Sequence, residues 1–266
     1  MKKIAVIGCG TLGSIFVRNL EKAVPGAYRI TGVMACTLSH AQALAQEVGC
    51  GAYTDLDALL SDQPDYVVEI AGGPAAREYG KRILEQGCDL VIVSVGALAD
   101  DAFRAELEET AKAHGRKIYV PNGAVGGFDL MRTMEAAGIL SASIESRKAP
   151  GGLNGAPYLE GRLLSESEEE TVFTGGYRDA IKGFLKNVNV AVATALASGC
   201  ADTQVTVKSV PGQKETRHTL RAESAYARME LNIALKPDPE NPKSTVSTAW
   251  SVIALFKNLA SVICYF

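Results

Sequence analysis

The sequence has 266 residues, of which 47% are hydrophobic and 21% are charged, proportions typical of a globular protein with a substantial core. Its 27 basic and 30 acidic side chains leave a formal net charge of -3, which gives no electrostatic footprint for nucleic acid or for an anionic membrane. The 6 cysteines are scattered and the histidines number only 3, so we expect a reduced, cytoplasmic protein without a metal site.

The first half of the sequence alternates short β-rich runs with helical stretches over residues 3–122. The predicted strands are Lys3–Ile7, Tyr28–Met34, Gly51–Tyr53, Tyr66–Ile70, Leu90–Val95 and Lys117–Val120. Runs such as Ile-Ala-Val-Ile contain no polar residue, as expected of parallel strands that are covered on both faces. Strands that alternate with helices predict an α/β fold, with a doubly wound Rossmann sheet over residues 1–121.

A glycine-rich motif, Gly-x-Gly-x-x-Gly, directly follows the first predicted strand and opens a predicted amphipathic helix. That context is typical of a dinucleotide-binding loop. In such loops the first glycine allows a tight turn, the second lets the backbone approach the pyrophosphate, and the third permits close packing of helix on strand. We therefore predict that the cofactor is bound by Gly8, Gly10, Thr11, Leu12 and Gly13. The alternative is a glycine-rich turn without a ligand.

The end of the second predicted strand bears on the identity of the cofactor. NAD-specific sites usually carry an acidic residue there, which binds the ribose 2′-hydroxyl. Residues 34–40 contain no Asp or Glu, so nothing repels a 2′-phosphate, and Thr37 and Ser39 offer it hydroxyl groups. No arginine is present, and His40 is expected to be a solvated residue of the next helix rather than a ligand. We expect NADP or NAD as cofactor, with NADP bound at least as well as NAD.

The pattern changes at the glycine-rich segment 122–127, which marks the predicted domain boundary. Predicted strands beyond it are Ser141–Lys148, Tyr158–Leu164, Glu170–Thr174, Thr203–Ser209, His218–Ala222 and Ala227–Ala234. Predicted helices are Phe128–Ala137, Tyr177–Phe184 and Asn189–Ser198. Because strands outnumber helices, residues 122–240 are expected to form an α+β substrate domain with a largely antiparallel sheet.

Within the C-terminal segment, residues 241–266, the run Val246–Cys264 is apolar enough to suggest either a membrane span or a buried helix. Lys257 and Asn258 lie in its interior, and serines and threonines recur through it. These polar residues favour a terminal helix that packs back on the Rossmann domain.

Four stretches of the sequence carry a family resemblance and together span nearly the whole chain. They are Ser94–Asp100, Val120–Asp129, Lys186–Ala191 and Asn241–Ser244. In these stretches the chain resembles the L-aspartate dehydrogenases, which share an architecture with homoserine dehydrogenase-like proteins. It departs from them at Asn122, where serine is common, and at Leu185, where proline is usual. Residues 146–150 read Ser-Arg-Lys-Ala-Pro against the family's Thr-Arg-Lys-Pro-Pro.

The resemblance implies roles for three residues. It implies that His218 is the catalytic histidine, that Ala124 contacts the cofactor through its backbone amide, and that Asn189 is a second cofactor contact. The alternatives are a surface histidine on a strand, an ordinary turn, and a helix cap, although Asn187 can cap that helix instead. Arg147 and Lys148 are candidates for the substrate carboxylates, against the alternative of a solvated strand end.

The implied reaction is the NAD(P)-dependent oxidative deamination of L-aspartate, or the reverse amination, by a homodimer. Hydride loss from Cα gives iminoaspartate, which hydrolyses to oxaloacetate and ammonia or feeds pyridine-nucleotide biosynthesis. His218, with an unperturbed pKa of about 6.5, is expected to act as the general base. The alternatives are a related dehydrogenase or reductase acting on another amino or keto acid, and a catalytically silent NAD(P)-binding sensor. Glu69, at the end of a Rossmann strand, is expected to be structural, although strand ends also line the cleft.

Overall fold

The computed structural model describes residues 1–184, 188–236 and 246–265. Contacts within the chain divide it into two compact units. The first comprises residues 1–123 and 246–266, and the second comprises residues 124–245.

The sheet of the first unit is entirely parallel over the described part of the chain. Its strands are β1 (Lys2–Ile7), β2 (Tyr28–Met34), β3 (Gly51–Tyr53), β4 (Tyr66–Glu69), β5 (Asp89–Ile92) and β6 (Ile118–Tyr119). Their spatial order is β3-β2-β1-β4-β5-β6, so the direction of winding changes between β1 and β4. Ligands of open α/β sheets bind at such a switch point, beyond the carboxyl ends of the strands. The prediction of a doubly wound parallel sheet is confirmed.

The helices that connect these strands are amphipathic. They are α1 (Thr11–Ala23), α2 (Leu38–Val48), α3 (Leu56–Leu60), α4 (Gly73–Glu85) and α5 (Asp101–Ala113). Helix α1 buries Phe16, Val17 and Leu20 on one face, as the spacing of its apolar residues predicts. Strand β5 ends at Ile92 rather than at the predicted Val95, because residues 95–99 form a 3-10 helix.

The second unit is an α+β domain whose sheet is mixed. Its elements are α6 (Phe128–Ala136), β7 (Ile139–Lys148), α7 (Pro150–Leu153), β8 (Glu170–Gly176), α8 (Tyr177–Gly183), α9 (Asn189–Ser198), β9 (Gln204–Ser209), β10 (Thr216–Ser224) and β11 (Arg228–Leu235). In the described residues the strand order is β11-β10-β7-β9-β8, with β7 and β9 parallel and the other neighbours antiparallel. A largely antiparallel sheet was expected from the sequence, and this expectation is confirmed.

One face of this sheet is buried and the other faces solvent. Side chains alternate along β7, β9 and β10, so that Ile144, Val207 and Leu220 are at most 1% exposed. Helices α6, α8 and α9 contact β10, β9 and β7, respectively. The opposite face carries exposed charged side chains such as Arg217 and Glu230.

The strand predicted at Tyr158–Leu164 is wrong. Residues 157–159 form a 3-10 helix instead, and the chain then turns at Glu160 and Gly161, which have φ values of +48° and +86°. Consecutive residues with positive φ cannot continue a β ladder. The preceding Gly155-Ala-Pro sequence is a turn signal that the apolar residues of this segment obscured.

The last helix, α10 (Ser247–Ala260), belongs to the first unit rather than to the second. Its Val252, Ile253 and Phe256 are at most 3% exposed and lie in the core of that unit. The Phe256 ring packs edge-on against Tyr28 and Tyr66, with ring centroids 5.0 Å and 5.4 Å away. Within the described ranges, no helix is both long and apolar enough to cross a membrane.

Candidate active site

The glycine-rich loop joins the end of β1 to the start of α1. Gly8 has a φ of +116°, and a Cβ at this position would lie 2.8 Å from the carbonyl carbon of Ile70. A Cβ on Gly13 would overlap the carbonyl oxygen of Gly8, so helix and strand pack as closely as only glycine permits. Around Gly10, by contrast, a Cβ would meet no atom within 4 Å. The loop therefore fits the close approach of a pyrophosphate to its backbone.

Helix α1 begins at Thr11, immediately after this loop. Thr11 and Leu12 thus contribute their amides to the first turn, at the positive end of the helix dipole. The N-cap residue of α1 is Gly10, which has no side chain to form a capping hydrogen bond. The first turn of the helix contains no acidic residue. The geometry suits the binding of an anionic phosphate group.

Glu69 lies at the carboxyl end of β4, the strand next to β1, and its side chain is fully buried. Its carboxylate accepts hydrogen bonds from the amides of Ala71 and Gly72 at 2.9 Å, and from the Ser94 amide at 3.2 Å and hydroxyl at 2.9 Å. Burial raises the pKa of Glu69, although the four donors oppose that shift. One carboxylate therefore ties together the two loops that follow β4 and β5.

The segment after β2 has the composition that the cofactor prediction depends on. Cys36, Thr37, Ser39 and His40 are exposed at the start of α2. Thr37 occupies the N-cap position of α2, and its side chain makes no capping hydrogen bond. Hydroxyl groups, rather than a carboxylate, are available at this end of the strand.

In the second unit, His218 is buried and paired with a serine on the neighbouring strand. His218 lies opposite Ser146 in the β10–β7 register, and its Nδ1 is 2.9 Å from Ser146 Oγ. The two residues are 3% and 1% exposed. His218 is thus not the surface histidine that its position in a polar stretch of sequence would suggest. Ser146 was not among the predicted site residues, although its spacing of two from Ile144 places it on the buried face.

Burial and a neighbouring cation determine the ionisation of His218. Burial, followed by the positive charge of Lys148, lowers the pKa of His218 to about 3. The pKa of this imidazole thus lies well below the ordinary value of about 6.5. The imidazole is neutral at physiological pH and has a basic nitrogen available.

Arg147 and Lys148 are separated by the alternation of the strand. The Arg147 guanidinium pairs with Glu169 at 2.7 Å and with Glu145 at 3.5 Å. Lys148 is half-buried on the same face as Ser146 and His218, and burial lowers the pKa of its ammonium to about 8. The structure brings Lys148, but not Arg147, together with the histidine.

The two predicted cofactor contacts of the second unit are both half-buried. Asn189 is the first residue of α9, with Val188 in the N-cap position. Asn187, the alternative cap, lies outside the described residues, as do Leu185, Lys186 and the stretch Asn241–Ser244. Ala124 lies in the glycine-rich segment that opens the second unit.

Comparison with known families and proteins matches both parts of the chain. Residues 8–121 match the family described as "Homoserine dehydrogenase, NAD binding domain", and residues 129–259 match "Aspartate dehydrogenase, C-terminal". The L-aspartate dehydrogenase of Methanosarcina mazei is 36% identical over 97% of each chain. That of Methanocaldococcus jannaschii is 30% identical over 98% of this chain and 97% of its own.

A solved structure shares the fold over the entire length of both chains. The crystal structure of aspartate dehydrogenase from Thermotoga maritima covers 100% of each chain, with a TM-score of 0.76 and 24% sequence identity. GenD2 from gentamicin A biosynthesis, solved in complex with NAD, matches with a TM-score of 0.58 and 14% identity over 99% of this chain and 89% of its own.

Proposed function

The chain belongs to the L-aspartate dehydrogenase family, and on this premise we propose that it catalyses the NAD(P)-dependent oxidative deamination of L-aspartate. Aspartate and water give oxaloacetate and ammonium, with one hydride passed to the nicotinamide and one proton released. The reverse amination uses the same groups. The observation that best supports this proposal is the buried cluster of His218, Ser146 and Lys148, in a chain that matches its relatives end to end.

The cofactor supplies the redox chemistry by accepting a hydride from Cα of the substrate. The glycine loop at Gly8, Gly10 and Gly13 would hold the pyrophosphate, helped by the amides of Thr11 and Leu12. We propose that Ala124 and Asn189 contact the nicotinamide end. Because no carboxylate follows β2, NADP is expected to bind at least as well as NAD.

His218 acts as the general base in this proposal. When Nδ1 carries the hydrogen and donates it to Ser146 Oγ, the lone pair of Nε2 is left to take a proton. The proton comes from the substrate ammonium, whose neutral amine then assists hydride departure, or from the water that attacks the imine. A substrate carboxylate beside Lys148 would offset the lysine charge and so raise the pKa of His218, although burial, the larger cause of its low value, would remain.

We further propose that three segments of the chain have different roles. Residues 1–121 bind the dinucleotide, residues 122–240 bind the substrate and carry the base, and residues 241–266 complete the first domain. The protein is proposed to be a cytoplasmic homodimer, because its cysteines are unpaired and one face of the second sheet is exposed. Released iminoaspartate would serve pyridine-nucleotide biosynthesis. Light scattering after size-exclusion chromatography tests the dimer.

The decisive experiment follows reduction of NAD and NADP by absorbance across a panel of amino acids. Turnover with L-aspartate above all others is the expected result. Turnover with a different amino acid would contradict the assigned substrate. Nucleotide binding without any turnover would instead indicate a silent sensor.

A further inference from the structure

One end of the buried face of the second sheet is polar, whereas Ile144, Val207 and Leu220 further along that face are apolar. Ser209, the last residue of β9, is 0% exposed, and its hydroxyl has no hydrogen-bond partner among the described residues. It lies beside Lys148 in the parallel β7–β9 register. On the other side of β7, His218 lies beside Ser146. Three adjacent strands therefore contribute a hydroxyl, an ammonium and an imidazole to one end of the same face.

The Ser209 hydroxyl is the member of this group that no hydrogen bond within the described residues satisfies. A buried hydroxyl gives up its hydrogen bonds to water, and such groups in folded proteins almost always find a replacement. Burial also disfavours the charged form of Lys148, and the positive charge of Lys148 in turn disfavours protonation of the His218 imidazole. The Lys148 charge is indeed one reason that the pKa of His218 is low. An anion that accepts from both Lys148 and Ser209 would relieve both costs.

We propose that Lys148 Nζ and Ser209 Oγ together bind the side-chain carboxylate of the dicarboxylic substrate. The inference rests on the proposed function and adds the basis of its specificity. Lys148 supplies the charge, and the Ser209 hydroxyl donates to the second carboxylate oxygen. Ser209 lies two strands away from His218, a separation of about 10 Å between strand axes. The carboxylate bound there is therefore the one farther from the amino group on which His218 acts.

The test compares L-aspartate with L-asparagine, which has a neutral amide in place of the side-chain carboxylate. Binding is measured by calorimetry on protein saturated with the reduced nucleotide, so that no turnover occurs. The unmodified protein is expected to prefer aspartate, and Lys148→Met to weaken aspartate binding about 100-fold while changing asparagine binding less than threefold. Equal losses for both ligands would place the lysine at the α-carboxylate and overturn the inference.

Lys208→Met is the matched control for this variant. Lys208 is the neighbour of Ser209 in sequence, but it lies on the opposite face and pairs with Glu145 at 3.0 Å. Removing it is expected to leave both binding constants unchanged. An equal loss of aspartate binding in Lys208→Met would show that general positive charge, and not the subsite, attracts the substrate.

Ser209→Ala separates a binding role from a structural one. Because the hydroxyl has no partner among the described residues, its removal is expected to leave Tm unchanged or to raise it. Aspartate binding should nevertheless weaken about tenfold, the usual effect of losing one hydrogen bond to a charged group. A lower Tm with unchanged aspartate binding would overturn the role proposed for Ser209.

Turnover assays with oxidised nucleotide on the same variants, beside these binding measurements, distinguish failure of this inference from failure of the proposed function. If the unmodified protein turns over aspartate, and Lys148→Met and Ser209→Ala bind aspartate normally, the proposed carboxylate subsite is wrong and the proposed activity stands. If the protein prefers aspartate to asparagine through Lys148 but does not turn aspartate over, the proposed activity is wrong and the carboxylate subsite stands. Absence of aspartate binding in the unmodified protein would contradict both.

Discussion

His218 combines burial, a hydroxyl partner and a neighbouring cation, and each of these has a separate consequence. Burial keeps the imidazole neutral, and the Ser146 hydroxyl at 2.9 Å fixes the orientation of its ring. The positive charge of Lys148 lowers the basicity of the imidazole, so an anion that offsets this charge would raise it. In the proposed mechanism, an anion beside Lys148 would therefore make the imidazole more basic, whereas burial would keep its pKa low.

Replacement of the histidine is expected to separate chemistry from cofactor binding. His218→Ala should lower kcat by about 10²–10⁴-fold, the usual loss for a general base, and leave nucleotide affinity unchanged. His218→Gln, which keeps most of the buried volume, should show the same kcat loss with less destabilisation. Steady-state oxidation of aspartate and nucleotide titration are the measurements.

His40→Ala and His114→Ala serve as controls for this prediction. His40 is exposed at the start of α2, and His114 is exposed at the end of α5. Both variants should turn over aspartate at nearly the normal rate. Near-normal turnover in His218→Ala would exclude the histidine as the base.

The ionisation of Lys148 predicts how KM depends on pH. With a pKa lowered to about 8, the residue is an ammonium below that pH and a neutral amine above it. KM for aspartate should thus be constant up to about pH 8 and then rise toward tenfold per unit. His218 on β10, a titratable neighbour of Lys148, is neutral throughout this range.

Lys148→Arg provides the comparison, since a guanidinium stays charged at every pH in the range. Its KM should be independent of pH between pH 7 and 9, even if its value is higher. A parallel rise in KM for both proteins would assign the titration to another group.

At the scale of secondary-structure elements, Glu69 connects the carboxyl ends of β4 and β5. Its four hydrogen bonds hold the loops at Ala71–Gly72 and Ser94 beside the switch point of the sheet. Such loops line the nucleotide crevice in open α/β sheets. The residue is therefore expected to position loops rather than to react.

Glu69→Gln should weaken nucleotide binding as well as stability. The amide has one acceptor oxygen and would direct a donor at one of the amides, leaving buried N–H groups unpaired. We expect the free energy of unfolding to fall by about 1–3 kcal/mol and nucleotide Kd to rise about tenfold. Denaturant titration and fluorescence titration measure the two effects.

Glu109→Gln, an exposed change on α5, is the control and should alter neither quantity. A loss of stability in Glu69→Gln with normal nucleotide affinity would mean that the carboxylate supports the core alone.

The β2–α2 connection carries the prediction on cofactor choice. Ala35→Asp should shift preference toward NAD by about tenfold, because a carboxylate there repels a 2′-phosphate and accepts from a 2′-hydroxyl. Ala35→Asn has the same size without the charge and should shift it much less. Dissociation constants for both nucleotides are the measurement. Binding of NAD alone by the unmodified protein would refute this account of the connection.

At the scale of the whole molecule, local pattern predicts most of the fold. Short β-rich runs between helical stretches indicated the six parallel strands, and further β-rich runs indicated β7, β9, β10 and β11. The failure at Tyr158–Leu164 came from weighting apolar content above the turn signals of Gly155 and Pro157. Turn chemistry overrode hydrophobicity in that segment.

Less of the candidate site than of the fold could be predicted from local sequence patterns. Ser146 and His218 are 72 positions apart, and only the register of β7 with β10 makes them partners. The low pKa of His218 follows from that packing and was invisible in the sequence. The separation of Arg147 from Lys148, by contrast, follows from the period of two in any strand. The placement of Arg147 and Lys148 on opposite faces of β7 could therefore have been predicted from the sequence.

The position of α10 has a consequence for how the protein is made. The core of the nucleotide-binding unit includes Phe256, which packs on Tyr28 and Tyr66 although more than half of the chain lies between them. During synthesis, the residues that begin this unit leave the ribosome first, yet the helix that seals it emerges last. The intervening unit, residues 124–245, is compact in itself, so it can fold before the first unit is complete. The unit whose synthesis starts first is thus completed last, and the apolar surface that α10 covers stays exposed in the interval.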